Sequence, residues 1–132
     1  MPIQPEEALS RFGDFCDSLA EAVARERADW EPEPPPLTVV MSRLGRAVAS
    51  GAQGCSETDL KPVFELVESL LTDGEESVKD AVATGFLESL LGESSAGRLD
   101  FRKIAALLGE KAVEYCREWD EFTGCTTPGL ES

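Results

Sequence analysis

Apolar residues recur at intervals of three and four along nearly the whole chain, the spacing at which a helix buries one face. Leu9, Phe12, Cys16, Leu19 and Val23, with Phe15 beside them, predict a first helix that ends near Trp30. Four prolines in Glu31-Pro32-Glu33-Pro34-Pro35-Pro36 remove backbone donors and hold the next stretch extended, so it reads as a stiff connector. Leu37, Val40, Met41, Leu44, Ala47 and Val48 then form a second stripe, although Thr38-Val39-Val40 alone would suggest a strand. From Gly51 to Thr58 the chain is loop-like, and Ser56 or Thr58 can cap a helix whose first turn tolerates Pro62. That helix buries Leu60, Val63, Phe64, Val67, Leu70 and Leu71 and stops at Asp73-Gly74.

Its successor carries Val78, Ala81, Val82, Gly85, Phe86 and Leu90 and is expected to close at Gly92. The small residues at 81 and 85 invite a neighbouring helix to approach closely, and Gly45 in the second stripe reads the same way. Asp100 is a plausible cap for a short element with Phe101, Ile104, Ala105 and Leu108, and a last helix runs from about Glu110 to Phe122. No segment alternates apolar and polar residues over a strand's length, so the expected sheet content is near zero. The expected fold is all-α, a compact bundle of five to six helices. At its centre, Leu60 to Thr72 and Ser77 to Leu91 pair as a HEAT-like antiparallel hairpin, without a second copy at a fixed period. The chain reads as one domain: an N-terminal helix (1–30), the connector (31–36), a helical core (37–122) and a flexible tail (123–132).

A chain of 132 residues can bury enough surface to stand without metal or disulfide staples. Histidine is absent, which removes Ser-His-Asp and Cys-His catalysis and His-ligated zinc or haem. Twelve cations against twenty-six carboxylates leave a net charge of −14, which argues against nucleic-acid phosphates and anionic membranes and for a basic protein partner. No apolar run reaches a membrane span, and the acidic start at Glu6 and Glu7 does not resemble a signal peptide. The four cysteines, Cys16, Cys55, Cys116 and Cys125, form no C-x-x-C pair. Reduced thiols in the cytoplasm are the expectation, with Cys16 and Cys116 packed as small hydrophobes and Cys55 and Cys125 in loops.

The charge is uneven. Residues 1–36 carry −6 and 57–93 carry −8, while 37–56 and 94–109 each carry +2 and 110–132 carry −4. The hairpin is therefore the most acidic region, and a second cluster follows on the last helix. The candidate partner-binding residues are Glu68, Asp73, Glu75, Glu76 and Asp80 in the first, and Glu118, Trp119, Asp120 and Glu121, with Phe122 beside them, in the second. The plain alternative is a solvated face that serves only solubility. Trp30 and Trp119 read as packing anchors, Trp119 being the better interface residue of the two. Glu65 and Glu68, three apart on one helix, could in principle hold a hard divalent ion, but such pairs are common on exposed helices. No glycine-rich phosphate loop or calcium loop is present. No catalytic residue, metal or cofactor is expected.

The run Pro35-Pro36-Leu37, the segments Val63-Phe64-Glu65-Leu66-Val67-Glu68, Asp73-Gly74-Glu75-Glu76-Ser77-Val78 and Gly85-Phe86-Leu87-Glu88, then Leu107-Leu108-Gly109 and Tyr115-Cys116-Arg117-Glu118-Trp119 form a pattern. It resembles a family of small, poorly characterised helical bacterial proteins whose relatives include immunity proteins of polymorphic toxin systems. The likeness runs from Pro36 to Leu130, is weakest over the N-terminal helix, and transfers no functional residues. It implies a non-catalytic cytoplasmic protein that binds a cognate toxin domain and occludes its active site. The alternatives are a helical scaffold or adaptor without a toxin partner and, last, a carboxylate enzyme using a divalent metal.

Overall fold

The computed structural model describes residues 2–15, 17–50 and 57–130. Cys16, the loop from Gly51 to Ser56 with Cys55, and a cap at Ser56 therefore lie outside the described residues. The order of elements is α1 (Pro5–Gly13), α2 (Asp17–Trp30), α3 (Leu37–Ala49), α4 (Glu57–Asp73), α5 (Glu76–Ala81), a π-helical stretch (Val82–Leu87), α6 (Glu88–Ser95), α7 (Arg102–Ala105) and α8 (Glu110–Thr123). α5, the π stretch and α6 run on as one helix over 76–95, so the described residues form seven helices rather than five or six. No strand occurs among them. A single bridge joins Ile3 to Gly74, where Ile3 N–H donates to Asp73 O and Glu75 N–H to Ile3 O, each at 3.0 Å. None of these helices is long and apolar enough to cross a membrane.

The first apolar stripe does not form one helix. Gly13 and Asp14, both weak helix formers, end α1, and the chain turns so that Ala8, Leu9 and Phe12 of α1 and Leu19, Ala22 and Val23 of α2 reach the core from separate helices. Thr58 is already inside α4 and is not its cap, and Pro62 consequently sits beyond the first turn, on the exposed side. The helix over 76–95 also runs past Gly92. It ends where Gly97 takes φ +80°, with Arg98 N–H bonded to Glu93 O at 2.9 Å and Gly97 N–H to Ser94 O at 3.1 Å, the paired bonds of a Schellman motif. Asp100 does accept the Arg102 N–H, at 3.2 Å, at the start of α7.

The centre of the molecule is the contact of α3 with the helix over 76–95. A Cβ on Gly85 would stand 2.6 Å from Thr38 O and 2.9 Å from Met41 Cβ, and one on Gly45 would stand 2.7 Å from Phe86 O. Each glycine lies against the other helix's backbone, and Ser89 Oγ donates across the seam to Ser42 O at 3.0 Å. The π stretch falls at this seam. Its wider turn buries Gly85, Phe86 and Leu87 in succession, which one face of a regular α-helix does not do. The Thr84 hydroxyl donates to Asp80 O at 2.7 Å, a side-chain bond beside the altered ladder.

Phe86 carries this seam into the core, its ring centroid 5.6 Å from that of Phe12 and 6.1 Å from that of Phe64, the latter edge-on. Helix α4 follows into 76–95 across a short turn, as expected, but the later helix packs more extensively on α3 than on α4. The hairpin is thus not a self-contained unit. Between α2 and α3, the buried Glu26 accepts from Arg43 Nε at 2.5 Å and from Trp30 Nε1 at 3.2 Å. Trp30 is an exposed ring on the outside of that pair, not a core anchor.

The described part of the tail is packed, where the sequence suggests looseness. Thr127 is buried with its N–H and hydroxyl on the Asp120 carboxylate at 2.8 and 2.6 Å, Leu130 joins the core, and Arg117 Nε donates to Leu130 O at 3.1 Å. Gly124, at φ +76°, makes the turn that returns it.

Gly85→Ala should lower stability by about 1–3 kcal/mol in urea unfolding, because the new methyl meets a backbone oxygen that cannot step aside. Gly92→Ala, with nothing within 4 Å and a helical backbone, should instead raise it by roughly 0.5–1 kcal/mol.

Candidate protein-binding interface

The acidic surface is built on α4 and α8, and one of its own carboxylates joins the two helices. α8 begins after Gly109, which has no side chain to cap it. Glu68 of α4 supplies the acceptor: its Oε2 lies 2.7 Å from Lys111 N and its Oε1 3.1 Å from Ala112 N. Negative charge at a helix N-terminus is favoured by the unpaired N–H groups and the helix dipole. A Cβ on Gly109 would stand 2.5 Å from the Glu68 carboxyl carbon, so only glycine permits the approach.

Two shallow grooves meet at this junction. One, of about 420 Å³, is lined by Glu65, Glu68 and Asp73 of α4 with Phe64 and Leu107; the other, of about 530 Å³, runs along α8 past Glu110, Glu114, Glu118 and Glu121. Gly109 lines both. The carboxylates therefore form one band from the end of α4 to the last turn of α8. Arg117 is the cation in the α8 groove, and its Nε is turned to the tail. At the band's end Phe122 is 90% exposed, one turn on from Glu118 and next to Glu121.

The sequence-predicted residues divide between this band and other duties. Asp73, Glu118 and Glu121 line it and are exposed. Glu68 lines it too, but its carboxylate is committed to α8. Asp120 is committed to Thr127, and Trp119 is half-buried against the core, so neither is an open contact residue. Glu75, Glu76 and Asp80 are exposed around the α4–α5 turn and line neither groove, and Glu76 pairs with Lys79 at 3.7 Å. Glu110, which the sequence reading passed over, belongs to the band; its spacing of four from Glu114, repeated to Glu118, was the available signal.

The inner side of α8 is ordinary packing. Tyr115 OH donates to Glu88 Oε2 at 2.5 Å, and burial first, then that carboxylate, raises the phenol well above its usual pKa. Burial, with a smaller contribution from Asp120, pushes the Cys116 thiol up to about 12. Among the described residues, no three acidic or thiol side chains are grouped as a metal would need.

Residues 6–124 match the family DUF7674, described as a domain of unknown function, and the chain belongs to that family. The match takes in α1 and α2, so the N-terminal helices, where the sequence resemblance is weakest, are part of the family's unit. No curated protein and no solved structure matches the chain.

Glu68→Ala should cost about 1–2 kcal/mol of unfolding free energy, since it removes the carboxylate that accepts from Lys111 N and Ala112 N at the α8 N-terminus. Alkylation at pH 8 followed by peptide mapping should label the half-buried Cys125 well before Cys116, whose thiol stays protonated and shielded until the chain unfolds.

Proposed function

We propose that this protein is a non-catalytic, protein-binding module that meets a basic partner through the α4–α8 acidic band. The observation that carries the reading is Phe122, an almost fully exposed aromatic ring beside Glu118 and Glu121 at the end of that band. An exposed ring costs solubility and contributes nothing to the core, whereas at an interface it fills a pocket while the carboxylates around it select a basic partner. The net charge of −14 supports the same pairing by steering encounter.

In its specific form the proposal makes the partner a bacterial toxin domain with a basic active-site cleft, which the band occludes in the cytoplasm of the producing cell. The resemblance to immunity proteins supports this form. The exposed turn between α4 and the helix over 76–95, read as a HEAT-like corner, supplies Asp73, Glu75, Glu76 and Asp80 as a second edge of contact.

Affinity purification of the tagged protein from its native host should recover a basic protein in stoichiometric amount at low salt and release it at high salt. Phe122→Ala should weaken that complex by about 2 kcal/mol or more while changing stability by no more than roughly 0.5 kcal/mol. Recovery of no basic partner, or wild-type affinity retained by both Phe122→Ala and a Glu118→Lys, Glu121→Lys double variant, would sink the reading. Co-expression with the recovered partner addresses the toxin form, and cells that die regardless would remove it.

A further inference from the structure

The positive charge of this acidic chain is gathered rather than scattered. Cations of the two net-positive stretches meet in space: Arg43 and Arg46 of α3 and Arg98 beyond α6 line one open cleft of about 610 Å³, with Arg25 of α2. Its other charged lining residues are Glu21 and Glu93, while Glu26 and, at 4.0 Å, Asp29 pair with Arg43 without lining the cleft. Three of these arginines are oriented by acids. Arg25 Nε lies 3.3 Å from Glu21, Arg98 Nε 2.5 Å from Glu93, and Arg43 Nε 2.5 Å from the buried Glu26. Arg46 is exposed and has no ion pair within 4.0 Å among the described residues. Guanidinium groups held in a fixed plane are suited to binding phosphate or carboxylate oxygens in pairs.

A second cavity, of about 390 Å³, adjoins the first and shares Ala49, Ser50 and Arg98 with it. Its walls are largely apolar, with Val48, Leu60, Leu99, Ile104 and Leu107, and its charged residues besides Arg98 are Lys103 and Asp100. Both volumes fall in the range of small-molecule sites. The arginine cleft shares no lining residue with the acidic grooves, and the apolar cavity meets the α4 groove at Leu107.

We propose that the two cavities form one site for a small amphiphilic anion, its phosphate or carboxylate head among the arginines and its apolar body against Leu99, Ile104 and Leu107. The adjoining apolar wall favours such a molecule over a bare inorganic anion. The overall charge favours it over a nucleic acid: screening confines a small ligand to the field within about 8 Å, whereas a long polyanion meets the surrounding carboxylates as well.

Calorimetric titration of the full chain with octyl phosphate and with octanoate tests this, with octanol and inorganic phosphate as controls at matched ionic strength. The expected result is saturable one-to-one binding of at least one amphiphile, at least about tenfold tighter than either control, and the tighter amphiphile identifies the head group. Arg46→Glu and Arg98→Glu should each weaken it about tenfold or more, with circular dichroism unchanged. Flat traces for both amphiphiles, octanol binding equally well, inorganic phosphate binding equally well, or affinity untouched by both substitutions would each overturn the proposal.

Discussion

Everything in this fold depends on two helices lying closer together than side chains allow. Gly45 and Gly85 place the backbones of α3 and the helix over 76–95 against each other, with a carbonyl oxygen where each missing Cβ would be. The π stretch then turns Phe86 inward, to where Phe12 and Phe64 close around it. α1 and α4 are seated by that aromatic ring, and α8 is seated by α4. Such a contact has no slack, because interiors are close-packed and backbone atoms do not change rotamer.

Carboxylates supply much of the remaining architecture. Glu68 caps α8, Glu26 joins α2 to α3 through Arg43, Asp120 holds the tail, and Glu88 receives Tyr115. Each accepts a hydrogen bond where an unpaired donor or charge would be costly. A chain with twenty-six acids can assign several to structure and still present a continuous acidic band. This division also explains why net charge alone is a poor guide to a binding surface: neighbours such as Asp120 and Glu121 serve opposite purposes, one folded inward and the other open.

The surface that results has two poles of different chemistry. The α4–α8 band offers carboxylates and an exposed ring, and the α2–α3 cleft gathers four arginines beside an apolar wall. The sequence held a trace of both in its segmental charges. Membership of DUF7674 extends over both surfaces, since the match spans 6–124.

The three-to-four spacing of apolar residues was enough to determine an all-helical chain, because that period depends only on helix geometry and on which faces avoid water. It likewise marked Gly45 and Gly85 as contact points, and Asp100 as an acceptor at the start of α7, where Phe101 holds the cap position itself. It did not reveal the break after Gly13, because the stripe through Phe12, Cys16 and Leu19 is the same whether one helix or two present it. It chose Gly92 over Gly97 as a terminator, since a glycine ends a helix only where the backbone takes the left-handed conformation. The candidate site was legible in part: Asp73, Glu118, Glu121 and Phe122 stand open, as isolated acidic clusters suggest. Only tertiary structure decided that Glu68 and Asp120 are spoken for, and that Arg25, Arg43, Arg46 and Arg98 share a cleft. Those facts arise from residues distant in sequence, and no local period or charge count encodes which distant helix a side chain will meet.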